Sequence, residues 1–182
     1  LPQSSLADLK ITSASGGAGA VMMYQKSISD ITDSNDNITV KRRFYKVGAE
    51  DTPTNEFKQG DIIRVNLWIE YGNKALDGAY SISEYLPSGL EYVTDSAKIP
   101  YTSIFESDKG RFIYPFVSGK KITFYDYNFK GIGCSESGGK LYYYYARVTS
   151  PGMYRAEGTT VCKIGAKNTL TFGADDYITI SE

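Results

Sequence analysis

Hydrophobic and polar positions alternate along this chain with the period of a β-strand. In the stretch from Ile62 to Tyr71, apolar residues occupy every second position from Ile63 onward, separated by arginine, asparagine, tryptophan and glutamate. Consecutive side chains of a strand point to opposite faces of the sheet. The pattern therefore predicts a strand with one face in the core and one polar face.

A tyrosine-rich stretch at residues 141–156 predicts a β-hairpin. Four consecutive tyrosines, Tyr142 to Tyr145, precede a Pro151-Gly152 turn and a second short strand. Because aromatic residues fall on both faces, the first strand is predicted to be central, with both faces partly covered. An exposed aromatic platform for sugars or nucleic acid bases is the alternative interpretation of the same tyrosines.

About ten short strands are expected in all, and no segment has a sustained 3.6-residue period. This pattern predicts an all-β fold, an antiparallel β-sandwich. A loop is predicted at 50–60, and a turn at 118–120 joins two of the strands in a hairpin. The remaining strands are predicted at 6–11, 21–28, 38–47, 79–86, 90–93, 111–117, 121–129, 159–164 and 177–180.

A polar segment at 29–37 predicts a domain boundary near Asn37. Residues 1–37 are interpreted as strands and a linker from the end of a preceding domain, and residues 38–182 as the sandwich. Segment 33–37 places oxygen-bearing side chains at alternate positions, as calcium loops do. Ile38 and Phe44 stand where such a loop needs glycine and a bidentate acid, so no metal site is predicted.

Composition narrows the function classes. The chain has 182 residues, enough for one sizeable core, with 20 Lys+Arg against 21 Asp+Glu and a net charge of −1. That balance argues against nucleic acid as a partner.

Histidine is absent, which excludes a Ser-His-Asp triad, a Cys-His pair and histidine metal sites. No apolar run is long enough to insert in a membrane, and no cofactor is predicted.

Carboxylates are the remaining candidates for catalysis, and none of their spacings singles out a facing pair of the kind a glycosidase needs. We therefore predict that the chain is not an enzyme. The candidates are Glu84, Glu91, Asp126 and Asp176.

A basic cluster, Lys41-Arg42-Arg43, lies in a predicted strand with basic side chains on both faces. It is interpreted either as a partner contact or as charge that protects a sheet edge from unwanted pairing. With Trp68 it makes up the candidate partner-contact residues.

Cys134 and Cys162 are the only cysteines. An even count in a β-rich chain permits one disulfide, and two free thiols fit equally well.

Five blocks of sequence are informative when read in order. They are VKRRFY (40–45), KQGDIIRV (58–65), EYLPSGLE (84–91), DKGRF (108–112) and YARVTSPGMY (145–154). Together they resemble the C-terminal macroglobulin-like (MG10-type) domain of bacterial alpha-2-macroglobulins, and the resemblance covers most of residues 38–182. Val21-Met22-Met23-Tyr24 is also similar to the strand that precedes them in that family.

The resemblance implies a macroglobulin-like or immunoglobulin-like sandwich from a secreted, periplasmic or cell-surface bacterial protein of a peptidase-inhibitor family. Its expected partners are other domains of the parent chain, another protein or a peptidase. The family's Cys-Gly-Glu-Gln thioester sequence is absent, and 160–163 reads Thr-Val-Cys-Lys where the family has a Met-Tyr segment near the thioester. The runner-up hypothesis is a carbohydrate-binding or adhesive module that uses exposed tyrosines and Trp68.

Overall fold

The computed structural model describes residues 37–49, 52–94, 115–128, 139–166 and 170–182. Within these ranges the chain forms twelve strands and no helix. The strands are β1 (Ile38–Lys46), β2 (Glu56–Lys58), β3 (Ile62–Tyr71), β4 (Gly78–Tyr85), β5 (Leu90–Tyr92), β6 (Phe116–Ser118), β7 (Lys121–Asn128), β8 (Lys140–Val148), β9 (Gly152–Ala156), β10 (Thr160–Lys163), β11 (Leu170–Phe172) and β12 (Asp176–Ser181).

The strands form three sheets around one core. A four-stranded sheet has the order β1-β3-β8-β5, a five-stranded sheet the order β11-β10-β4-β7-β6, and a three-stranded sheet the order β2-β12-β9. Every pairing is antiparallel except that of β2 with β12. The predicted all-β, antiparallel β-sandwich is confirmed.

Strand β3 has the bounds expected from its alternation, and its apolar face is buried except at Tyr71, which is partly buried. The opposite face carries polar side chains, as predicted, but two of them, Arg64 and Asn66, are only 2% and 8% exposed. Arg64 lies between two aromatic residues of neighbouring strands, since it pairs with Tyr45 on one side and Tyr145 on the other. Asn66 pairs with Arg43 and Tyr143. The buried apolar residues are Ile63, Val65, Leu67 and Ile69.

Strand β8 is central, as the tyrosine pattern predicts, because it pairs with β3 on one edge and β5 on the other. Tyr142 and Tyr144 are buried in the core, and Tyr145 is buried on the opposite face, where Tyr143 is half-buried. Tyr142 packs against Phe124 of the facing sheet with ring centroids 5.4 Å apart. These rings stabilise the fold, since burying each large apolar side chain contributes roughly 1.5–3 kcal/mol.

The predicted hairpin between residues 141–148 and 153–156 is wrong. Both edges of β8 are already paired, so Pro151 and Gly152 carry the chain into the three-stranded sheet, where β9 pairs with β12. Gly152 has a φ of 142°, a conformation that only glycine adopts readily. The hairpin expected at 118–120 is confirmed, because β6 pairs with β7 around Gly119.

Two strands, β2 and β11, were not expected from the sequence. Each has three residues, too few for an alternating pattern to emerge, and each pairs with one edge of a neighbouring strand, β12 for β2 and β10 for β11. The predicted strands at 6–11 and 21–28, and most of the calcium-like segment 33–37, lie outside the described residues. The division of the chain near Asn37 stays a prediction.

Candidate functional site

Strand β1 separates the basic triplet between two faces. Lys41 and Arg43 are exposed on the outer face of the four-stranded sheet, the face turned away from the core. Arg42 points the other way, as alternation requires. Lys41 pairs directly with Trp68 of β3, and Arg43 pairs with Asn66. Of the three basic residues, only Lys41 and Arg43 therefore share a surface with Trp68.

A pocket of about 290 Å³ opens on this outer face. Two cations, two aromatic rings, an amide and a leucine make up its described lining, and none of these lining residues carries a carboxylate. We call it the Lys41–Trp68 pocket. It is lined by Lys41, Arg43, Tyr45, Asn66, Trp68 and Leu141.

Hydrogen bonds orient the polar groups around the Lys41–Trp68 pocket. Trp68 Nε1 donates to Glu70 Oε1 at 2.8 Å, and Arg64 Nε donates to Asn66 Oδ1 at 2.9 Å. The Arg64 guanidinium also lies 4.0 Å from the centre of the Tyr143 ring. Since Asn66 accepts with its oxygen, its NH₂ group is the part of the amide that can donate to a ligand.

Arg42 lies in the core, with only 2% of its side chain exposed. Its Nη1 is 2.6 Å from Glu84 Oε1 on β4, and its Nη2 is 2.8 Å from Asp176 Oδ2 at the start of β12. Nη2 also donates to the carbonyl oxygen of Ala156 at 2.8 Å. The interpretation of Arg42 as a surface partner contact is therefore corrected: it is an internal structural group.

Glu84 completes this internal cluster. Its side chain accepts hydrogen bonds from Thr159 Oγ1 at 2.6 Å and from the Tyr144 hydroxyl at 3.4 Å. Burial raises the pKa of Glu84, while Arg42, Thr159 and Tyr144 oppose that rise. Burial and the nearby Glu84 carboxylate also raise the pKa of Tyr144, with Arg42 acting in the opposite direction.

A second buried carboxylate, Asp126 of β7, pairs with Lys140 of β8. Lys140 Nζ lies 2.9 Å from Asp126 Oδ1 and 3.0 Å from Oδ2. Burial, reinforced by the Asp126 charge, raises the pKa of Tyr71 and of Tyr142. Both ion pairs link strands of different sheets and contribute to the cohesion of the sandwich.

The four carboxylates considered for catalysis do not form a free facing pair, because three of them form ion pairs and the fourth lies apart from them. Glu84 and Asp176 converge, but the Arg42 guanidinium is bound to both of them. Asp126 is held by Lys140, and Glu91 is exposed on the outer face opposite Arg147. In the part of the chain that the structure describes, no group of three potential metal ligands comes together.

Comparison with known families gives a match over most of the described chain. The family described as "Bacterial Alpha-2-macroglobulin MG10 domain" matches residues 38–164, more than half of the chain. This chain belongs to the bacterial alpha-2-macroglobulin MG10 domain family. The resemblance expected from the five sequence blocks is confirmed. A comparison with curated protein sequences finds no match.

Solved structures of the family have the same fold as this MG10 domain. Native Escherichia coli alpha-2-macroglobulin, spanning domain MG7 to the C-terminus, aligns with a TM-score of 0.61 and 15% identity, covering 82% of this chain and 24% of that one. The E. coli protein activated by porcine elastase gives a TM-score of 0.65, 15% identity and coverages of 82% and 13%. Salmonella alpha-2-macroglobulin reacted with methylamine aligns with a TM-score of 0.63 and 15% identity, covering 82% of this chain and 9% of that one.

The chain thus spans about a quarter or less of the solved chains that it matches. No helix in the described part of this MG10 domain is long and apolar enough to cross a membrane.

The cysteines are only partly placed. Cys162 is half-buried on β10, with its Sγ 3.6 Å from the carbonyl oxygen of Lys163. Cys162 forms no disulfide within the described residues. Cys134 lies outside them, so the two alternatives, one disulfide and two free thiols, both stay predictions.

Three lining residues of the Lys41–Trp68 pocket were not among the sequence candidates: Tyr45, Asn66 and Leu141. Alternation along the strands could have indicated two of them, because residues an even number of positions apart lie on the same face. Tyr45 is on the same face as Lys41 and Arg43, and Asn66 is on the same face as Trp68. Using that alternation required the register between β1, β3 and β8, which the sequence pattern does not supply.

Proposed function

We propose that this MG10 domain acts without catalysis, through protein contacts made by the outer face of its four-stranded sheet. The observation that carries the proposal is the Lys41–Trp68 pocket, in which Lys41 and Arg43 are exposed beside Trp68. A catalytic role is disfavoured by the charge pairing of Glu84, Asp126 and Asp176, which leaves none of these three carboxylates positioned as a free acid or base.

The contacting partner is proposed to be another domain of the parent alpha-2-macroglobulin. The matched structures are several times longer than this chain, which supports a role inside a larger protein. Peptidase inhibition is then an activity of the whole parent protein. An E. coli relative activated by porcine elastase supports that reaction class for the parent.

An extracytoplasmic location is proposed with this function, in the periplasm, at the cell surface or secreted. Membership of the bacterial alpha-2-macroglobulin MG10 domain family supports this location. Fractionation of cells that produce the tagged parent protein tests it. Recovery of the protein with cytoplasmic markers would overturn the location.

Binding in trans tests the contact surface. The 182-residue chain is mixed with the remaining domains of its parent, and amine-reactive labelling is followed by mass spectrometry. We expect Lys41 to be protected on binding, while Lys58, exposed on the three-stranded sheet, stays labelled. Equal labelling of Lys41 with and without the partner domains would overturn the proposal.

Two Trp68 variants sharpen this experiment. Trp68→Ala should weaken the association because the ring forms a wall of the Lys41–Trp68 pocket, and Trp68→Phe should restore part of it. Tyr125→Ala is the matched control, since that exposed ring lies on the five-stranded sheet. Circular dichroism checks that each variant is folded. Equal affinity for the wild type and folded Trp68→Ala would contradict the proposed surface.

Carbohydrate binding is a second candidate, but it now involves different residues. Three of the four tyrosines of β8 that suggested a platform are buried. Tyr125 and Tyr127, two residues apart on β7, are instead 55% and 56% exposed on one face. Aromatic rings at this spacing can stack on sugars. Glycan-array binding that is lost in Tyr125→Ala/Tyr127→Ala supports this candidate, and a flat array response excludes it.

A further inference from the structure

We infer that the Lys41–Trp68 pocket recognises carboxylate side chains, so that its partner presents an acidic protein segment rich in aspartate or glutamate. The inference rests on the proposed function, because it names the chemistry of the partner at the same surface. Three features of the pocket support it: its uncompensated charge, its hydrogen-bond donors and its size.

Charge is the first feature. Lys41 and Arg43 are exposed, and neither forms an ion pair with another described residue. Among the described cations, those that do form ion pairs are Arg42, Lys46, Lys140 and Arg155. The described lining of the Lys41–Trp68 pocket therefore carries two positive charges and no carboxylate, in a chain whose net charge is −1. The neighbouring Glu70 carboxylate is hydrogen-bonded to the Trp68 N–H. A complementary ligand carries negative charge.

Hydrogen-bond donors are the second feature. The Asn66 oxygen is occupied by Arg64, so its NH₂ is the part of this lining side chain that can donate, besides the Lys41 ammonium and the Arg43 guanidinium. The Trp68 N–H is occupied by Glu70, so that residue contributes its ring surface. The pocket thus combines several donors with an apolar wall. This combination fits a carboxylate on a short aliphatic stem, since arginine binds carboxylates bidentately.

Size is the third feature. A volume of about 290 Å³ accommodates one or two side chains, and ligand pockets typically begin near this volume. A nucleic acid backbone would need a longer basic track, which neither the pocket nor the net charge provides. Discrete acidic side chains from a protein segment are the ligand that matches charge, donors and volume together.

Trp68 makes the test direct, because it is the only tryptophan in the chain and lines the pocket. Its fluorescence is followed while the full 182-residue chain is titrated with an acetylated, amidated hexaglutamate peptide. Hexaglutamine is the neutral control. We expect a saturable change with hexaglutamate only, and an affinity that falls at least about threefold when salt rises from about 50 to about 300 mM. Equal responses to both peptides would overturn the inference.

Matched charge variants locate the binding. Lys41→Gln/Arg43→Gln should lower hexaglutamate affinity by about tenfold or more, because two charged donors are lost. Lys58→Gln/Lys74→Gln changes the net charge equally but lies outside the pocket, and it should lower affinity less than about twofold. Equal losses in the two variants would overturn the inference, and so would tighter binding of an acidic polysaccharide than of the peptide at matched charge.

The two proposals fail differently. If Lys41→Gln/Arg43→Gln binds the parent domains as the wild type does, and Trp68→Ala does not, the carboxylate inference is wrong while the contact surface stands. If the wild-type chain leaves Lys41 fully labelled with the parent domains present, the proposed function itself is wrong.

Discussion

Arg42 Nη1 and Glu84 Oε1 lie 2.6 Å apart, and their ion pair joins the four-stranded sheet to the five-stranded sheet. The same guanidinium binds Asp176 and the Ala156 carbonyl oxygen, both in the three-stranded sheet. One side chain therefore connects all three sheets. A buried charge of this kind is tolerated only when its hydrogen-bonding groups are satisfied, as they are here.

Arg42→Met should lower the free energy of unfolding by about 3–5 kcal/mol, because it leaves Glu84 buried without its countercharge. Urea denaturation followed by circular dichroism measures the loss. The double variant Arg42→Met/Glu84→Leu should recover much of it, since neither charge then remains in the core. A loss below about 1 kcal/mol in the single variant would contradict the structural role of the pair.

Asp175 should make stability depend on acid pH. Burial alone would raise the pKa of Asp175, but hydrogen bonds from Arg155 and from the Gly158 N–H outweigh it and hold that pKa below its usual value. A carboxyl whose pKa is lowered by folding contributes stability above its unfolded pKa, and this contribution is lost as pH falls through the folded pKa. We expect the free energy of unfolding to decrease below pH about 4.

Asp175→Asn should flatten that acid dependence, measured by urea unfolding at several pH values. The effect should be smaller than that of Arg42→Met, because the pair with Arg155 is partly exposed. Asp77→Asn, in the exposed loop before β4, is the control and should keep the wild-type profile. An unchanged profile in Asp175→Asn would show that this carboxylate does not stabilise the fold.

Gly158→Ala should destabilise the domain by about 1–3 kcal/mol, because its Cβ would overlap the Gly173 carbonyl oxygen. The Gly173 N–H is meanwhile hydrogen-bonded to the Thr159 carbonyl at 2.8 Å, which restricts its movement. Gly60→Ala is a useful comparison, since Gly60 has open space and a φ of 91°, so only backbone strain is added there. Thermal unfolding should show the larger loss for Gly158→Ala, and the reverse order would contradict the steric argument.

Gly139→Ala should displace Trp68, because the new Cβ would overlap the indole nitrogen and lie 2.6 Å from Glu70 Cγ. The Trp68–Glu70 hydrogen bond would break, and the emission maximum of the sole tryptophan should shift to longer wavelength. Gly119→Ala, in the open turn between β6 and β7, is the control and should leave the emission unchanged. Identical spectra for Gly139→Ala and the wild type would show that the ring does not depend on this close approach.

Local alternation was sufficient to place most described strands. Period-two patterning gave β3 its full bounds, and the consecutive tyrosines indicated that β8 is covered on both faces, because side-chain direction in a strand depends only on sequence parity. Block order along the chain likewise indicated the MG10 family, which the family comparison confirms. The three-residue strands β2 and β11 were not predicted, since three residues are too few to show a period-two pattern.

Local sequence is enough to establish that the chain is all-β, which residues share a strand face and which family the chain resembles. The packed fold is needed to show that β8 pairs with β5 rather than β9, that Arg42 turns inward to meet Glu84, and that Lys41 lies beside Trp68. The physical reason is that parity is a local property, whereas strand partners and buried ion pairs join residues far apart in sequence. Only the packed sheets bring those residues together.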